Sequence, residues 1–184
     1  NNVLSIGQQW LITSRIEPGE NVLETGGGAG FLAKLLHDRG AKVTATDVSR
    51  VGAERTAKRG IPTQQVDLDT MKLPFADQSF DTVVCNSNLE HLFYLDDNVA
   101  ECLRVLRPGG KLLLTTHGSF WDHGCPHDYW RWTAHGLKRL ITRAGFQPDK
   151  LLKITANERA KLFIAEKQFG WRARTAGAYG ALYD

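Results

Sequence analysis

The stretch that decides the fold is VLETGGGAG, residues 22–30. The run from Asn21 to Thr25 is predicted to form a strand, and glycine occupies four of the next five positions. Apolar residues then recur at helical spacing over residues 31–36. Glycine permits a tight turn and lets backbone N–H groups approach a ligand closely. The stretch therefore predicts a strand, a glycine loop and a helix, with a ligand lying against the loop.

Outward from this stretch, strand-like runs alternate with helix-like runs, which predicts a parallel sheet covered by helices. Strands are predicted at residues 21–25, 42–47, 63–67, 80–86 and 111–116, and a closing antiparallel pair at residues 151–155 and 161–166. Ser49 and Thr133 are each placed to cap a following helix. The predicted fold class is α/β: a Rossmann-like, seven-stranded, mostly parallel sheet with helices on both faces.

A chain of 184 residues with 42% hydrophobic residues has room for one domain with an ordinary core. Within the single domain 1–184, we expect residues 1–20 to form a helical cover over the active site, residues 21–166 the cofactor-binding core, and residues 167–184 a C-terminal tail. Such a division leaves little room for a separate substrate domain. A small-molecule ligand, rather than a macromolecule, is therefore expected as the substrate.

Charge and cysteine content limit the environment and the partners. A net charge of +3 is too small an excess to indicate a surface that tracks nucleic acid. No apolar run reaches the roughly 18 residues that a membrane span needs. The cysteines, Cys85, Cys102 and Cys125, are odd in number and widely spaced, which favours a reducing compartment. We expect a cytoplasmic protein without nucleic-acid or membrane partners; no oligomeric state is predicted.

The glycine spacing distinguishes between nucleotide ligands. The dinucleotide pattern G-x-G-x-x-G would need glycine at position 31, where this chain has Phe31, so a pyrophosphate is the less favoured ligand. Asp47 ends the second predicted strand about 20 residues after the loop, where a carboxylate can accept both ribose hydroxyls. An NAD-dependent oxidoreductase remains an alternative at this point.

Taken together, several motifs resemble those of the class I S-adenosylmethionine-dependent methyltransferases, in particular the small single-domain type. They are the glycine stretch at residues 22–30, Asp47, LPFADQSFD at residues 73–81, LEHL at residues 89–92 and RVLRPGG at residues 104–110. Each motif alone is weak, and their order and spacing make the set specific. The resemblance covers about residues 20 to 166.

The resemblance implies S-adenosyl-L-methionine as the cofactor and S-adenosyl-L-homocysteine as the product. The implied cofactor contacts are Glu24, Gly26, Gly28 and Gly30 around the methionine portion, Asp47 and Val48 at the ribose, and Asn86 at the sulfonium side. Two assignments compete for the adenine. Strand length favours Asp67 with Leu68, whereas gapless counting back from residue 73 favours Asp69.

Residues 117–132, after the fifth predicted strand, are rich in histidine, tryptophan and aspartate, at the sheet edge where ligands bind in open α/β folds. His127 is a candidate general base with Asp128 orienting its ring, and Tyr129 is a candidate pocket wall. His91 is a further candidate for substrate contact. The competing interpretation pairs Asp128 with Arg131 structurally. Residues 126–133 also resemble a run found in methyltransferases of surface-glycan and natural-product pathways.

The same segment also contains potential metal ligands. His117, His123, Cys125 and His127 are potential ligands, but alternate positions chelate one ion only from an extended chain. No metal site is predicted from the sequence.

The predicted function is transfer of a methyl group from S-adenosylmethionine to a small molecule, at oxygen, in a glycan or natural-product pathway. The alternatives are an NAD-dependent oxidoreductase and a noncatalytic S-adenosylmethionine-binding protein.

Overall fold

A single parallel sheet organises the computed structural model, which describes residues 6–118, 120–124 and 126–148. Its strands are β1 (Asn21–Thr25), β2 (Lys42–Asp47), β3 (Thr63–Gln65), β4 (Phe80–Asn86) and β5 (Leu106–Thr115). The helices are α1 (Ile6–Thr13), α2 (Phe31–Asp38), α3 (Arg50–Ala57), α4 (Leu95–Val105) and α5 (Ala134–Arg143), with a 3₁₀ turn at Leu89–His91.

The strand order is β3-β2-β1-β4-β5, and every neighbouring pair is parallel. Chain order therefore reverses between β1 and β4. In open α/β sheets, ligands bind outside the carboxyl ends of the strands at such a reversal. The glycine loop leaves β1 at this point.

The sheet is buried on both faces, as the continuous apolar strands predicted. Neighbouring residues of β1 point to opposite faces: Val22 packs in a core with Leu32 and Leu36 of α2, whereas Leu23 packs in a second core with residues of α4. Both Val22 and Leu23 are fully buried. The predicted α/β class, a Rossmann-like parallel sheet with helices on both faces, is thereby confirmed. The two predicted closing strands, at 151–155 and 161–166, lie outside the described residues.

Both predicted helix caps are present. The Ser49 hydroxyl accepts a hydrogen bond from the Gly52 N–H at 3.2 Å, and the Thr133 hydroxyl accepts one from the Gly136 N–H at 3.0 Å. These bonds satisfy N–H groups that the first helical turn leaves without a partner. They set where α3 and α5 begin.

The fifth strand begins earlier than predicted. Leu106 already pairs with Phe80, and regular pairing resumes where Lys111 faces Thr82. The four residues 107–110 bulge out between these two pairs, because the partner strand has one residue in the same interval. The RPGG run therefore ends α4 and also interrupts β5.

The N-terminal helix α1 falls within the predicted cover, residues 1–20. Its residue Ile12 is buried in the core that contains Val22. That α1 covers an active site remains a prediction, and the predicted tail at 167–184 lies outside the described residues. No helix in the described ranges is long and apolar enough to cross a membrane.

Candidate functional site

The glycine loop is tied directly to the end of β2. Asp47 accepts a hydrogen bond from the Gly28 N–H at 2.6 Å on one oxygen and from the Ser49 N–H at 2.8 Å on the other. A carboxylate offers about four acceptor positions, so two remain for a ligand. Asp47 thus shapes the loop and keeps capacity to bind hydroxyl groups.

The loop glycines serve different purposes. A Cβ added to Gly26 would lie 2.4 Å from Cγ of Asn88, and one added to Gly30 would lie 2.6 Å from Oγ1 of Thr56. Those two positions are glycine because other side chains pack against them. A Cβ on Gly28 would meet nothing within 4 Å, although its φ of +58° favours glycine. The space over Gly28 is the open cradle of the loop.

Glu24 is a buried acid beside the glycine loop, and its Oε2 would lie 3.3 Å from a Cβ added to Gly27. Its side chain is 2% exposed, and its Oε2 has no hydrogen-bond partner among the described residues. Burial raises the pKa of Glu24 to about 8; a hydrogen bond from the Ala33 N–H opposes the rise, and the charge of Asp47 adds to it. A buried acceptor without a partner is costly, so the site suits a ligand that brings a hydrogen-bond donor.

The two candidate adenine acids have different surroundings. Asp69 accepts from the Phe93 N–H at 2.9 and 3.0 Å and from the Tyr94 N–H at 3.0 Å, so its carboxylate holds the loop that leads into α4. Asp67 follows β3 closely, and its Oδ1 accepts from the Asp69 N–H at 3.0 Å. Asp67 therefore keeps more acceptor capacity than Asp69.

The end of β4 carries the other predicted cofactor residue, Asn86. It is 6% exposed, and its Oδ1 accepts from the Thr115 hydroxyl at 2.7 Å. That bond links the carboxyl ends of β4 and β5. Val48, predicted at the ribose, is 47% exposed beside Asp47.

The segment after β5 folds against the 3₁₀ turn. The Tyr129 N–H donates to the Glu90 carbonyl at 2.8 Å, and the Trp130 indole N–H donates to the Leu92 carbonyl at 2.7 Å. Nδ1 of His91 lies 2.5 Å from the carbonyl oxygen of His127. His91 and the segment that contains His127 and Tyr129, which were predicted to contact the methyl acceptor, are therefore in contact although they are distant in sequence.

Asp128 makes the pair with Arg131 that the competing interpretation predicted. Its oxygens accept from two Arg131 nitrogens at 2.5 and 2.6 Å, and its Oδ2 lies 3.2 Å from Nδ1 of His123. The Arg131 guanidinium holds the pKa of Asp128 well below its usual range. The described contacts thus place Asp128 on Arg131 and His123 instead of on the ring of His127, which is exposed.

Several residues that border the site escaped prediction. Gly52 lies so close to the loop that a Cβ there would be 2.9 Å from the Gly28 carbonyl oxygen. Asn88 fills the space that Gly26 leaves, and Glu90 is fully buried beside His117. Glu90 lies within the LEHL motif, so the motif was the available signal, and the burial was not visible in it.

The residues present fit S-adenosylmethionine. An unpartnered buried acid at Glu24 suits the amino group of a methionine portion, and the open space over Gly28 gives room for it. Asp47 retains acceptor positions for ribose hydroxyls.

Comparison with known proteins agrees with this fit. The family described as "Methyltransferase domain" matches residues 23–114, which is half of the chain. A ubiquinone/menaquinone biosynthesis C-methyltransferase, UbiE, of Paraburkholderia phymatum is 34% identical over 119 residues, covering 61% of this chain and 49% of that protein. The chain thus spans about half the length of the curated relatives it matches.

Solved structures show the same fold. An S-adenosylmethionine-dependent methyltransferase from Mesorhizobium loti superposes with a TM-score of 0.66 at 21% identity, covering 88% of this chain and 92% of that one. The cyclase SpnF superposes with a TM-score of 0.66 at 23% identity, covering 95% and 73%. From its glycine loop, its sheet order and its match to the family, the chain belongs to the class I S-adenosylmethionine-dependent methyltransferases.

Proposed function

We propose that this protein transfers the methyl group of S-adenosylmethionine to an oxygen atom of a small molecule. The observation that carries the proposal is the cradle over Gly28, with buried Glu24 beside the glycine loop and Asp47 bonded to its backbone. Family membership favours S-adenosylmethionine over the nicotinamide alternative, and Phe31 at the third glycine position of the dinucleotide pattern agrees with that preference.

Each part of the cofactor has proposed partners in the chain. Glu24 and the backbone of the glycine loop hold the methionine portion, and Asp47 with Val48 holds the ribose. Asp67 accepts from the adenine amino group, and the Leu68 N–H serves a ring nitrogen. Asn86 lies on the sulfonium side. Asp69 does not contact the cofactor in this proposal, and its carboxylate accepts hydrogen bonds from the Phe93 and Tyr94 N–H groups.

When bound, S-adenosylmethionine supplies a methyl carbon already activated by positively charged sulfur. The protein therefore contributes mainly by positioning the acceptor and excluding water. An alcohol acceptor also benefits from loss of its proton, for which we propose His127 as the base. Its ring lies beside that of Tyr129, with centroids 5.4 Å apart. We place His91, which anchors the His127 backbone, on the same side.

The acceptor side presents several exposed aromatic rings. Phe93, Tyr94 and Tyr129 are 54%, 53% and 42% exposed, and the ring of Phe93 meets those of Tyr94 and Tyr129 edge-on. Aromatic faces suit the apolar faces of a sugar or the ring of an aromatic metabolite. This supports an acceptor from a glycan or natural-product pathway.

A second candidate is methylation at carbon. The UbiE relative is named for C-methylation in ubiquinone and menaquinone biosynthesis, and it matches this chain at 34% identity. The shared stretch is shorter than that relative, and residues 117–132 are the part we assign to acceptor choice. The fold alone does not decide the reaction, since SpnF shares it and is named a cyclase.

Methyl-labelled S-adenosylmethionine tests the proposal directly. The protein is incubated with hydroxylated sugars, phenolic metabolites and quinols, and the labelled product is examined by NMR, which separates oxygen-bound from carbon-bound methyl groups. We expect an oxygen-bound methyl group and equimolar S-adenosylhomocysteine. A carbon-bound methyl group on a quinol favours the second candidate. Cofactor binding with no turnover on any of these acceptor classes counts against a methyltransferase and favours the noncatalytic alternative.

A further inference from the structure

Beyond the carboxyl ends of β4 and β5, one acid and two imidazoles converge. Glu90 comes from the 3₁₀ turn after β4, whereas His117 and His123 come from the segment after β5. One potential ligand atom from each residue lies within 4.8 Å of the others. None of the proposed steps of methyl transfer uses this cluster.

Glu90 has a carboxylate oxygen that lacks a hydrogen bond. The residue is fully buried, and its Oε2 accepts from the Thr116 hydroxyl at 2.8 Å. Its Oε1 lies 3.2 Å from Nε2 of His117, without the alignment of a hydrogen bond, and has no other partner among the described residues. An oxygen buried in this way needs a positive or donating group close by.

The separation of 3.2 Å has a specific meaning for metal binding. Two donors each about 2.1 Å from one ion, at angles between octahedral and tetrahedral, are about 3.0–3.4 Å apart. Glu90 and His117 already have this spacing. His123 is one-third exposed, so a modest side-chain rotation brings its ring inward.

Both histidines make contacts that orient their rings. The His117 ring stacks on Phe120 with centroids 4.3 Å apart. Nδ1 of His123 lies 3.2 Å from Oδ2 of Asp128, so Nε2 is the ring nitrogen of His123 that is not paired with this carboxylate. A carboxylate behind a histidine is the usual support for a metal ligand.

We propose that Glu90, His117 and His123 bind one divalent transition-metal ion, with Zn²⁺ as the best match. Two imidazoles favour Zn²⁺ and related ions over Mg²⁺ or Ca²⁺, which prefer oxygen. This site differs from the one rejected on sequence grounds, because Glu90 is distant in sequence and Cys125 is not needed. Three protein ligands leave at least one coordination position open.

The open position gives the ion a role that rests on the proposed function. An acceptor oxygen bound there, in place of a water ligand, would be held and polarised by the ion. Metal binding itself does not depend on that role.

Titration of Zn²⁺ against a competing colorimetric chelator tests the site on the chelator-stripped chain. We expect one ion per chain, and affinity at least tenfold weaker in His117→Asn, His123→Asn and Glu90→Gln. His127→Asn and His135→Asn are the matched controls, since they remove a neighbouring and a remote histidine, and they should bind within about twofold of the wild type. Co²⁺ substitution should give an absorption band that His123→Asn abolishes.

Circular dichroism in chelator checks that each variant folds. His123 is partly exposed, so its variant decides the matter if the replacements at Glu90 or His117 unfold the chain. Equal Zn²⁺ affinity in wild type and His123→Asn, or equal loss in His127→Asn, overturns the proposal. Calorimetry with S-adenosylhomocysteine on the metal-free chain reports on the cofactor site separately, so the two proposals fail independently.

Discussion

The Gly28 N–H donates to Asp47 across 19 residues of sequence, at 2.6 Å, and so joins the glycine loop to the end of the neighbouring strand. Gly52 of α3 approaches the same two residues, since a Cβ there would lie 2.9 Å from the Gly28 carbonyl oxygen and 3.0 Å from Asp47 Oδ1. The loop is therefore shaped by β2 and α3 before any ligand binds. Such preorganisation lowers the ordering cost of binding.

The Gly28→Ala variant distinguishes an effect on ligand affinity from an effect on the stability of the fold. A Cβ there meets no protein atom within 4 Å, so we expect a loss of about 1 kcal/mol from the left-handed backbone alone. The methyl group would enter the proposed cofactor space, and affinity for S-adenosylhomocysteine should fall at least tenfold. Urea unfolding and calorimetry measure the two effects.

Gly109→Ala is the matched control for that variant. Gly109 also has a positive φ, +77°, with nothing within 4 Å of an added Cβ, and it lies in the bulge of β5 between Leu106 and Lys111. It should lose similar stability and keep full affinity. Equal affinity in both variants would show that the cradle over Gly28 is not the cofactor site.

The buried acid Glu24 should make the stability of the ligand-free protein depend on pH. Its pKa is raised from 4.5 to about 8, so the folded state favours the protonated form. The associated stability is fully present below pH 4.5 and is lost as the pH rises to about 8. We expect the free energy of unfolding to fall over that range, on the order of a few kcal/mol, relative to Glu24→Gln. If the free energy of unfolding depends on pH in the same way in the wild type and in Glu24→Gln, the pKa of Glu24 is not raised.

Replacement by asparagine should have different effects at Asp67 and at Asp69. Asp67→Asn should weaken S-adenosylhomocysteine binding roughly tenfold or more and barely change stability, because it loses the acceptor proposed for the adenine amino group. Asp69→Asn should mainly lower the melting temperature, because the Asp69 carboxylate accepts from two backbone N–H groups, those of Phe93 and Tyr94. The reverse pattern would assign the adenine to Asp69.

His127 should matter for turnover and not for cofactor binding. With an alcohol acceptor, His127→Asn should lower the turnover rate by about a hundredfold, the usual scale of a lost general base, and leave affinity for S-adenosylhomocysteine unchanged. An unchanged rate would exclude His127 as the base.

The elements that local chemistry controls were predictable from the sequence. Ser49 and Thr133 cap helices as expected, because a hydroxyl at that position bonds an N–H three residues on. The positions of the first five strands along the chain could be predicted from the alternation of short apolar runs with helical ones. The class of fold could therefore be stated before any coordinates.

The parts that sequence could not show depend on contacts across the fold. The sequence left two roles open for Asp128, orienting His127 or pairing with Arg131; its carboxylate bonds Arg131, and its contact with His123 was not indicated by the sequence. Glu90 lies within the LEHL motif, but its burial beside His117 depends on contacts between distant parts of the chain. Motif spacing indicates the residues that we propose for the cofactor, whereas the contacts after β5 are visible only in the structure.

Calorimetric titration with S-adenosylhomocysteine tests the central claim most directly. The claim is that the glycine loop and Asp47 bind the cofactor of the family to which the chain belongs. We predict saturable binding of one molecule per chain to the wild type, weakened at least tenfold in Asp47→Ala, with the variant still folded by circular dichroism. No binding to the wild type, or the same affinity in folded Asp47→Ala, would contradict the account.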